Sequence, residues 1–154
     1  MKKVLLVLVL ALMALTAKAQ LYVGGSLGFS AAGPQFALSP ELGYEFGNNM
    51  AVGSSLTFRF ANSFFDFMID PYFRYYFAEW GPARFFADAS FNFTVESGGG
   101  QSGTGWGVGI NPGVAFKIND RFSMVTHIMQ LGYYYNAFRF NLNPGSSIGL
   151  FYSF

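Results

Sequence analysis

Hydrophobic and polar residues alternate along most of the chain after residue 20. At the end of the chain one parity carries Ile148, Leu150, Tyr152 and Phe154, and the other carries Ser147, Gly149 and Ser153 together with Phe151. Strand side chains point alternately to two faces, so this period of two predicts a β-strand with one apolar face. An apolar edge strand favours aggregation in water, whereas a last strand that pairs with the first can turn its apolar face to lipid. The pattern therefore predicts a closed barrel.

Eight segments share this alternation. We predict strands over 20–30, 36–46, 50–60, 65–77, 84–95, 105–118, 122–133 and about 137–154. Tight turns at 47–49, 79–83 and 119–121 alternate with loops at 31–35, 61–64, 96–104 and 134–136, of which 96–104 is the longest. Short turns at one end and longer loops at the other are typical of outer-membrane barrels. The predicted fold is all-β, an eight-stranded antiparallel up-and-down transmembrane β-barrel.

Two features interrupt the regular pattern. The hydrophobic parity of the seventh strand changes near Met129-Gln130, which predicts a β-bulge because one extra residue shifts the phase. Prolines recur at Pro40, Pro71, Pro112 and Pro144. Proline cannot donate to a strand ladder, so we expect strained or bulged positions there.

The first 19 residues predict a cleavable signal peptide. Lys2 and Lys3 precede an apolar run over 4–15, and Ala17 and Ala19 provide small residues before a cut ahead of Gln20. The run is shorter than the ~20 residues that a membrane helix needs. We therefore expect export by the secretory pathway and one barrel domain over 20–154.

Composition excludes several classes of function. Without residues 1–19, six basic and eight acidic residues remain, so no basic field attracts nucleic acid. The absence of cysteine excludes disulfides and thiolate metal sites. Charged residues make up 11% of the chain and aromatic residues 20%, which suits strands with one face in lipid.

Eight charged residues fall on the inward face of the predicted strands. They are Glu41, Glu45, Arg59, Asp70, Arg74, Asp88, Lys117 and Arg139. The interior of an eight-stranded barrel is just wide enough for side chains to fill, so four acids and four bases predict a salt-bridged network that closes the lumen. A polar translocation path is the alternative.

Chemical motifs are scarce. His127 is the only histidine, and neither a second histidine nor a serine–carboxylate arrangement accompanies it, so a structural role is expected. The glycines of 105–109 resemble a phosphate loop only superficially, because no helix is predicted after them. Asp66 and Asp70 could pair, although lumen salt bridges also explain them. We predict no catalytic, cofactor or metal site, and no enzyme.

Segments 39–46, 70–77, 138–143 and the chain end carry a family resemblance. They resemble the small outer-membrane β-barrel, or porin-family, proteins of Gram-negative bacteria, of the OmpA/OmpX-like eight-stranded kind. Ser147, Gly149, Tyr152 and Phe154 are similar to the assembly signal of that family. The resemblance implies insertion by the barrel assembly machinery, with periplasmic chaperones during biogenesis, into outer-membrane lipid as a monomer.

Three functions follow from these observations. The leading hypothesis is a structural outer-membrane barrel with a side-chain-filled, salt-bridged lumen. The alternative is a narrow porin-like channel, or a transporter of small hydrophobic molecules with a lateral opening, which the prolines and the phase break suggest. A lipid-modifying enzyme is the least favoured, because lipid A deacylase barrels use a His-x-Ser pattern and His127 is followed by Ile128 and Met129.

Overall fold

The computed structural model describes residues 20–30, 35–47, 49–61, 64–98, 101–134, 136–142 and 147–154. The predicted signal peptide lies outside these residues, as do Pro144 and positions 31–34 of the first loop. Within the described ranges, no helix has the length and apolar character needed to span a membrane.

The described chain forms ten strand segments. They are β1 (Gln20–Ser30), β2 (Gln35–Phe46), β3 (Met50–Ala61), β4 (Phe64–Trp80), β5 (Ala83–Gly98), β6 (Gln101–Lys117), β7 (Phe122–His127), β8 (Met129–Tyr134), β9 (Ala137–Leu142) and β10 (Ser147–Ser153). β7 and β8 are two parts of the seventh barrel strand, since both pair with β6. β9 pairs with β8 and β10 pairs with β7, so together they occupy the eighth position.

Antiparallel pairing closes the sheet on itself. Val23 of β1 lies opposite Leu42 on one side and opposite Tyr152 on the other. The backbone N–H of Phe154 also donates to the carbonyl of Leu21 at 3.0 Å, so pairing continues to the last residue. The predicted eight-stranded antiparallel barrel is confirmed.

Alternation assigns one face of each strand to the outside and one to the lumen. In β4 the outward Phe73 is 41% exposed, whereas its neighbour Arg74 is 1% exposed. The same outward exposure recurs around the barrel at Leu42, Val52, Phe91, Ile110 and Leu131. Apolar side chains therefore cover the outer surface, and polar and aromatic side chains meet inside.

The predicted bulge in the seventh strand is present at Ile128. Gly113 of β6 pairs with His127, but Ile110 pairs with Leu131, so the seventh strand contains one residue more than β6 between these pairs. The Ile128 N–H still finds a partner, because it donates to the Pro112 carbonyl at 2.8 Å. The bulge keeps apolar residues outward on both sides of the break.

Three of the predicted proline positions lie at gaps in the ladders, and one of them is Pro112, which lies opposite the Ile128 bulge. Pairing between β2 and β3 skips Ser39 and Pro40, and pairing between β4 and β5 skips Asp70 and Pro71. Both gaps agree with the expectation that proline removes a ladder donor.

The prediction of a long loop over 96–104 is wrong. β5 and β6 remain paired as far as Gly98 and Gln101, so residues 96–98 and 101–104 belong to the two strands of a long hairpin. Backbone pairing does not require apolar side chains, so a segment rich in Gly and Ser can continue a hairpin although its composition is typical of a loop. The predicted turn at 79–83 also shortens to Gly81 and Pro82, with Gly81 at a φ of 58°. That left-handed conformation favours glycine.

β9 differs from the other strands in its surroundings. All six of its residues are exposed, with Phe138, Phe140 and Leu142 alternating with Arg139 and Asn141. Among the residues that the structure describes, β9 pairs with β8 alone, so its second edge has no described partner strand.

Candidate functional site: the barrel interior

The interior is organised in layers along the barrel axis. We define the inner end as the one that holds Gln20, Phe154 and the turn residues 47, 49, 81–82 and 118–121. β4 runs toward this end, and its inward side chains are successively Asp66, Met68, Asp70, Tyr72, Arg74 and Tyr76. Side chains two residues apart along a strand are separated by about 7 Å, so each of these positions marks a layer.

Aromatic rings fill the layer nearest the inner end. This aromatic plug consists of Tyr22, Tyr76, Phe86 and Phe151 packed with Ala51, Ala115 and Val125. Tyr22 contacts Phe151 edge to face at a centroid distance of 5.9 Å, and Tyr76 contacts Phe86 in the same way at 5.9 Å. Edge-to-face contact is a favourable arrangement of aromatic pairs. The side chains of the aromatic plug are almost completely shielded from solvent.

Inward-facing glycines make room for these rings. A Cβ atom at Gly113 would overlap the Phe86 ring, one at Gly24 would overlap Phe151, and one at Gly43 would overlap Tyr22. An eight-stranded barrel is narrow, so a large ring from one strand needs an opposing position without a side chain. Glycine and ring together therefore determine how the lumen is filled.

Arg74 lies directly above the plug and is held by two acids. Its Nε and Nη2 donate to the two carboxylate oxygens of Asp88 at 2.7 and 2.8 Å, a bidentate ion pair. Its Nη2 is also 3.6 Å from Oε1 of Glu41. The guanidinium carbon lies 4.1 Å from the centroid of the Phe86 ring. Charge, hydrogen bonds and ring contact thus all compensate the burial of Arg74.

Further polar groups complete this charged cluster, which we define as Glu41, Tyr72, Arg74, Asp88 and His127. The Tyr72 hydroxyl donates to Glu41 and also contacts the hydroxyl of Tyr22. His127 Nε2 is 2.9 Å from Asp88 Oδ2, and its ring contacts Phe86 edge to face. Both neighbours orient the imidazole, as expected for a structural histidine.

A second charged group lies at the inner mouth. Arg84 Nη1 donates to Glu45 at 2.9 Å and Arg84 Nε donates to Glu79 at 2.7 Å, while its guanidinium covers the Tyr76 ring at 3.8 Å. A cavity of about 390 Å³ opens at this mouth and ends on buried residues of the plug. Arg84 was absent from the predicted network, although it has the same parity as Asp88 and could have been identified by that signal.

The remaining predicted network residues lie apart from the charged cluster. Arg59 is 3.5 Å from Asp66 near the outer end, and its side chain is 41% exposed. Lys117 is exposed at the end of β6, and its Nζ lies 3.4 Å from Oδ1 of Asp120 in the following turn. Arg139 is exposed on β9. The structure thus brings Glu41, Arg74 and Asp88 together, joins Glu45 to Arg84, and places Lys117 at the exposed end of β6 beside Asp120. Asp66 and Asp70 do not pair with each other among the described contacts.

Asp70 is inward but differs from the other lumen acids. Within the described part of the chain it forms no salt bridge. The described residues also contain no group of three or more His, Asp or Glu side chains that could hold a metal ion.

The chain end is fixed at the inner mouth by aromatic contacts. The Tyr152 ring contacts Phe122 at 5.1 Å and Phe154 at 5.0 Å, and Arg121 Nη1 donates to the Tyr152 hydroxyl at 3.0 Å. Phe154 nevertheless remains 67% exposed. Gly149 lies inside against Phe151, and the Ser147 backbone pairs with Gly28.

Comparison with known proteins identifies the fold. No protein-family model and no curated protein sequence matches the chain. The N-terminal β-barrel domain of Pseudomonas aeruginosa OprF is similar in structure, with a TM-score of 0.63 at 12% identity over 88% of this chain and 96% of that domain. A de novo designed transmembrane β-barrel gives a TM-score of 0.51 at 11% identity over 88% of this chain and 95% of the design. The chain therefore has the fold of the small eight-stranded transmembrane β-barrels, as predicted.

We predict that Gly113→Ala destabilises the barrel by about 1–3 kcal/mol, as overpacking of a filled core does. The added methyl group would meet both the Phe86 ring and the backbone carbonyl of Thr126. Gly103→Ala is the matched control in the same strand, because a Cβ atom there meets nothing within 4 Å. Urea unfolding of both variants in detergent measures the difference, and equal unfolding free energies would show that the lumen has spare room at Gly113.

Proposed function

We propose that this protein is a structural integral outer-membrane β-barrel protein with a closed, side-chain-filled lumen, and that it is not an enzyme. The observation that carries the proposal is the charged cluster. Arg74 is fully shielded, bound by Asp88 in a bidentate pair, and stacked on a ring of the aromatic plug. The barrel wall carries an apolar outer surface, and the lumen is blocked at mid-height.

The outer surface supports a position in a lipid bilayer. Outward residues such as Leu42 at 56% and Ile110 at 50% exposure form part of a continuous apolar band. A soluble monomer rarely exposes such a large apolar surface. Barrel closure also satisfies backbone N–H and C=O groups without water, which is the condition for spanning lipid with strands. The predicted route is export with removal of residues 1–19, followed by insertion into the bacterial outer membrane.

Opening a path through the lumen would carry a large free-energy cost. Arg74 would have to leave Asp88, and its Phe86 contact would be lost. Breaking a buried ion pair by removing one partner costs ~3–5 kcal/mol, since an unpaired charge stays behind. Displacing Arg74 without a new partner costs a similar amount. The ground state is therefore closed to ions.

We predict that the purified protein, reconstituted in planar lipid bilayers, produces no steady ionic current. Insertion is verified by protease protection and by the altered gel mobility of the folded barrel. An open porin inserted under the same conditions is the control for detection. A steady, ion-selective current from the unmodified protein would reject the closed-lumen proposal and favour the narrow-channel alternative.

The surroundings of β9 favour a second candidate function, the passage of small hydrophobic molecules through a lateral opening. β9 is exposed along its whole length and has a described partner on one edge only. A shallow apolar groove of about 840 Å³ on the outer surface extends to Phe138 of β9. Uptake of a fluorescent fatty acid into liposomes containing the protein would distinguish the two candidates, because a closed structural barrel gives the rate of empty liposomes.

The C-terminal residues support a partnership with the barrel assembly machinery, after delivery by periplasmic chaperones. Tyr152 and the exposed Phe154 end the last strand at the inner mouth, where the growing barrel would be accessible from the periplasm. The mature protein is then a monomer surrounded by lipid.

We predict that deletion of Phe154 lowers the amount of folded barrel in the outer membrane severalfold. The ring of Phe154 touches only the periphery of the fold, so the purified variant should still refold in detergent. Ile118→Ala is a suitable control, since it also removes an exposed apolar side chain at the inner end. Wild-type levels of heat-modifiable barrel in outer membranes after the deletion would contradict a signal role.

A further inference from the structure

The barrel ladder begins at the residue that follows the predicted signal-peptide cut. β1 starts at Gln20, which is the ladder partner of Glu45 in β2. The carbonyl of the next residue, Leu21, accepts a hydrogen bond from the backbone N–H of Phe154 at 3.0 Å, where the first strand meets the end of the chain. Cleavage before Gln20 would therefore leave no spacer between the new N-terminus and the closure of the barrel.

The side-chain amide of Gln20 is open to solvent. Gln20 is exposed, and its Nε2 donates to the carbonyl oxygen of Phe154 at 3.3 Å. This long hydrogen bond lies at the surface and is the only one of the Gln20 side chain within the described part of the chain. A hydrogen bond that water can replace contributes little net stability. The amide is therefore held only weakly at its position.

An N-terminal glutamine carries a nucleophile and an electrophile in one residue. Its α-amine nitrogen can attack its own Cδ, because the two groups are already held together and closure gives an unstrained five-membered ring. The N–Cδ bond forms, the Cδ–Nε2 bond breaks, and Nε2 leaves as ammonia with a proton from the amine. A fraction of α-amines is unprotonated at neutral pH, so the reaction needs no further reactant.

The barrel can accept the ring product without rearrangement. The side chain that closes into the ring is exposed, so no described neighbour has to move. The lactam nitrogen keeps one hydrogen and can still donate to the ladder. The contact that is lost is the surface hydrogen bond from Nε2 to Phe154.

Ring closure also removes a charge from the inner mouth. Ladder partners have Cα atoms about 5 Å apart, so an α-ammonium on Gln20 would lie close to Glu45. Glu45 already accepts a hydrogen bond from Arg84 Nη1 at 2.9 Å. A second cation would compete with Arg84 for this carboxylate, whereas a neutral lactam leaves the ion pair undisturbed.

We propose, on the basis of the proposed export and cleavage before Gln20, that Gln20 is converted to pyroglutamate and that the mature barrel begins with this uncharged lactam. Aminopeptidases need a free α-amine. The lactam therefore protects the first ladder pair, Gln20 with Glu45, and the closing hydrogen bond from Phe154 to Leu21 behind it.

The test determines the state of the N-terminus in outer membranes isolated from the native host. The membranes are first treated with formaldehyde and cyanoborohydride, which dimethylate every free α-amine and so prevent ring closure during later handling. The denatured protein is then cut after glutamate, and the first peptide, 20–41, is sequenced by tandem mass spectrometry. This peptide contains no lysine, so its α-amine is the only site of methylation. We expect most of it to lack one ammonia and to carry no methyl group.

Gln20→Asn is the matched control, since it keeps a terminal amide but the same attack would give a strained four-membered ring. Its first peptide should be dimethylated and retain the amide. A second readout needs no variant, because pyroglutamyl aminopeptidase should shorten the unmodified peptide so that it begins at Leu21.

The possible failures are distinguishable. A dimethylated Gln20 at the start of the unmodified protein would overturn the proposal and confirm the cut before residue 20. A first peptide that starts elsewhere, or that retains part of residues 1–19, would overturn both the proposal and the predicted cut. Resistance of the unmodified peptide to pyroglutamyl aminopeptidase would also overturn the proposal.

Discussion

The ion pair between Arg74 and Asp88 is the interaction on which the barrel interior depends. A guanidinium with 1% exposure is tolerated only because both carboxylate oxygens of Asp88 accept its hydrogen bonds. Phe86 lies beneath it, and that ring needs the space left by Gly113. Removal of Asp88 would leave Arg74 with only Glu41 at 3.6 Å, and removal of Arg74 would leave Asp88 with only His127 at 2.9 Å, so the plug, the pair and the opposing glycine stabilise one another.

The narrow lumen explains why most of its charged side chains form ion pairs. In a barrel of eight strands, side chains from opposite walls meet, and water has little room to solvate a charge between them. Each acid then needs a cation within reach. Arg74 forms ion pairs with Glu41 and Asp88, and Arg84 forms one with Glu45 at the inner mouth. Asp70 departs from this arrangement, because it forms no salt bridge within the described part of the chain.

Much of the fold could be predicted because strand alternation is a local property. Parity alone places Phe73 outside and Arg74 inside, and a change of parity near Met129-Gln130 predicts the bulge that the structure has at Ile128. Pairing partners are not local, since they depend on the register between strands that are far apart in sequence. Parity could therefore place Lys117 and Arg139 in the predicted network, but it could not show that Lys117 is exposed at the end of β6 beside Asp120 and that Arg139 lies on the exposed β9. The end of the β5–β6 hairpin could not be predicted, because backbone hydrogen bonds hold it together and its side chains show no alternation of apolar and polar residues.

A double-mutant cycle on Arg74→Met and Asp88→Leu tests the central claim most directly. Unfolding free energies are measured in the same detergent for the unmodified protein, the two single variants and the double variant. If the pair supports the interior, each single change costs ~3–5 kcal/mol, and the double variant loses clearly less than the sum of the two single losses, because neither member of the pair is then left without the other, although Glu41 still loses Arg74. Costs that simply add in the double variant would show that the two charges act independently and would contradict this account of the interior.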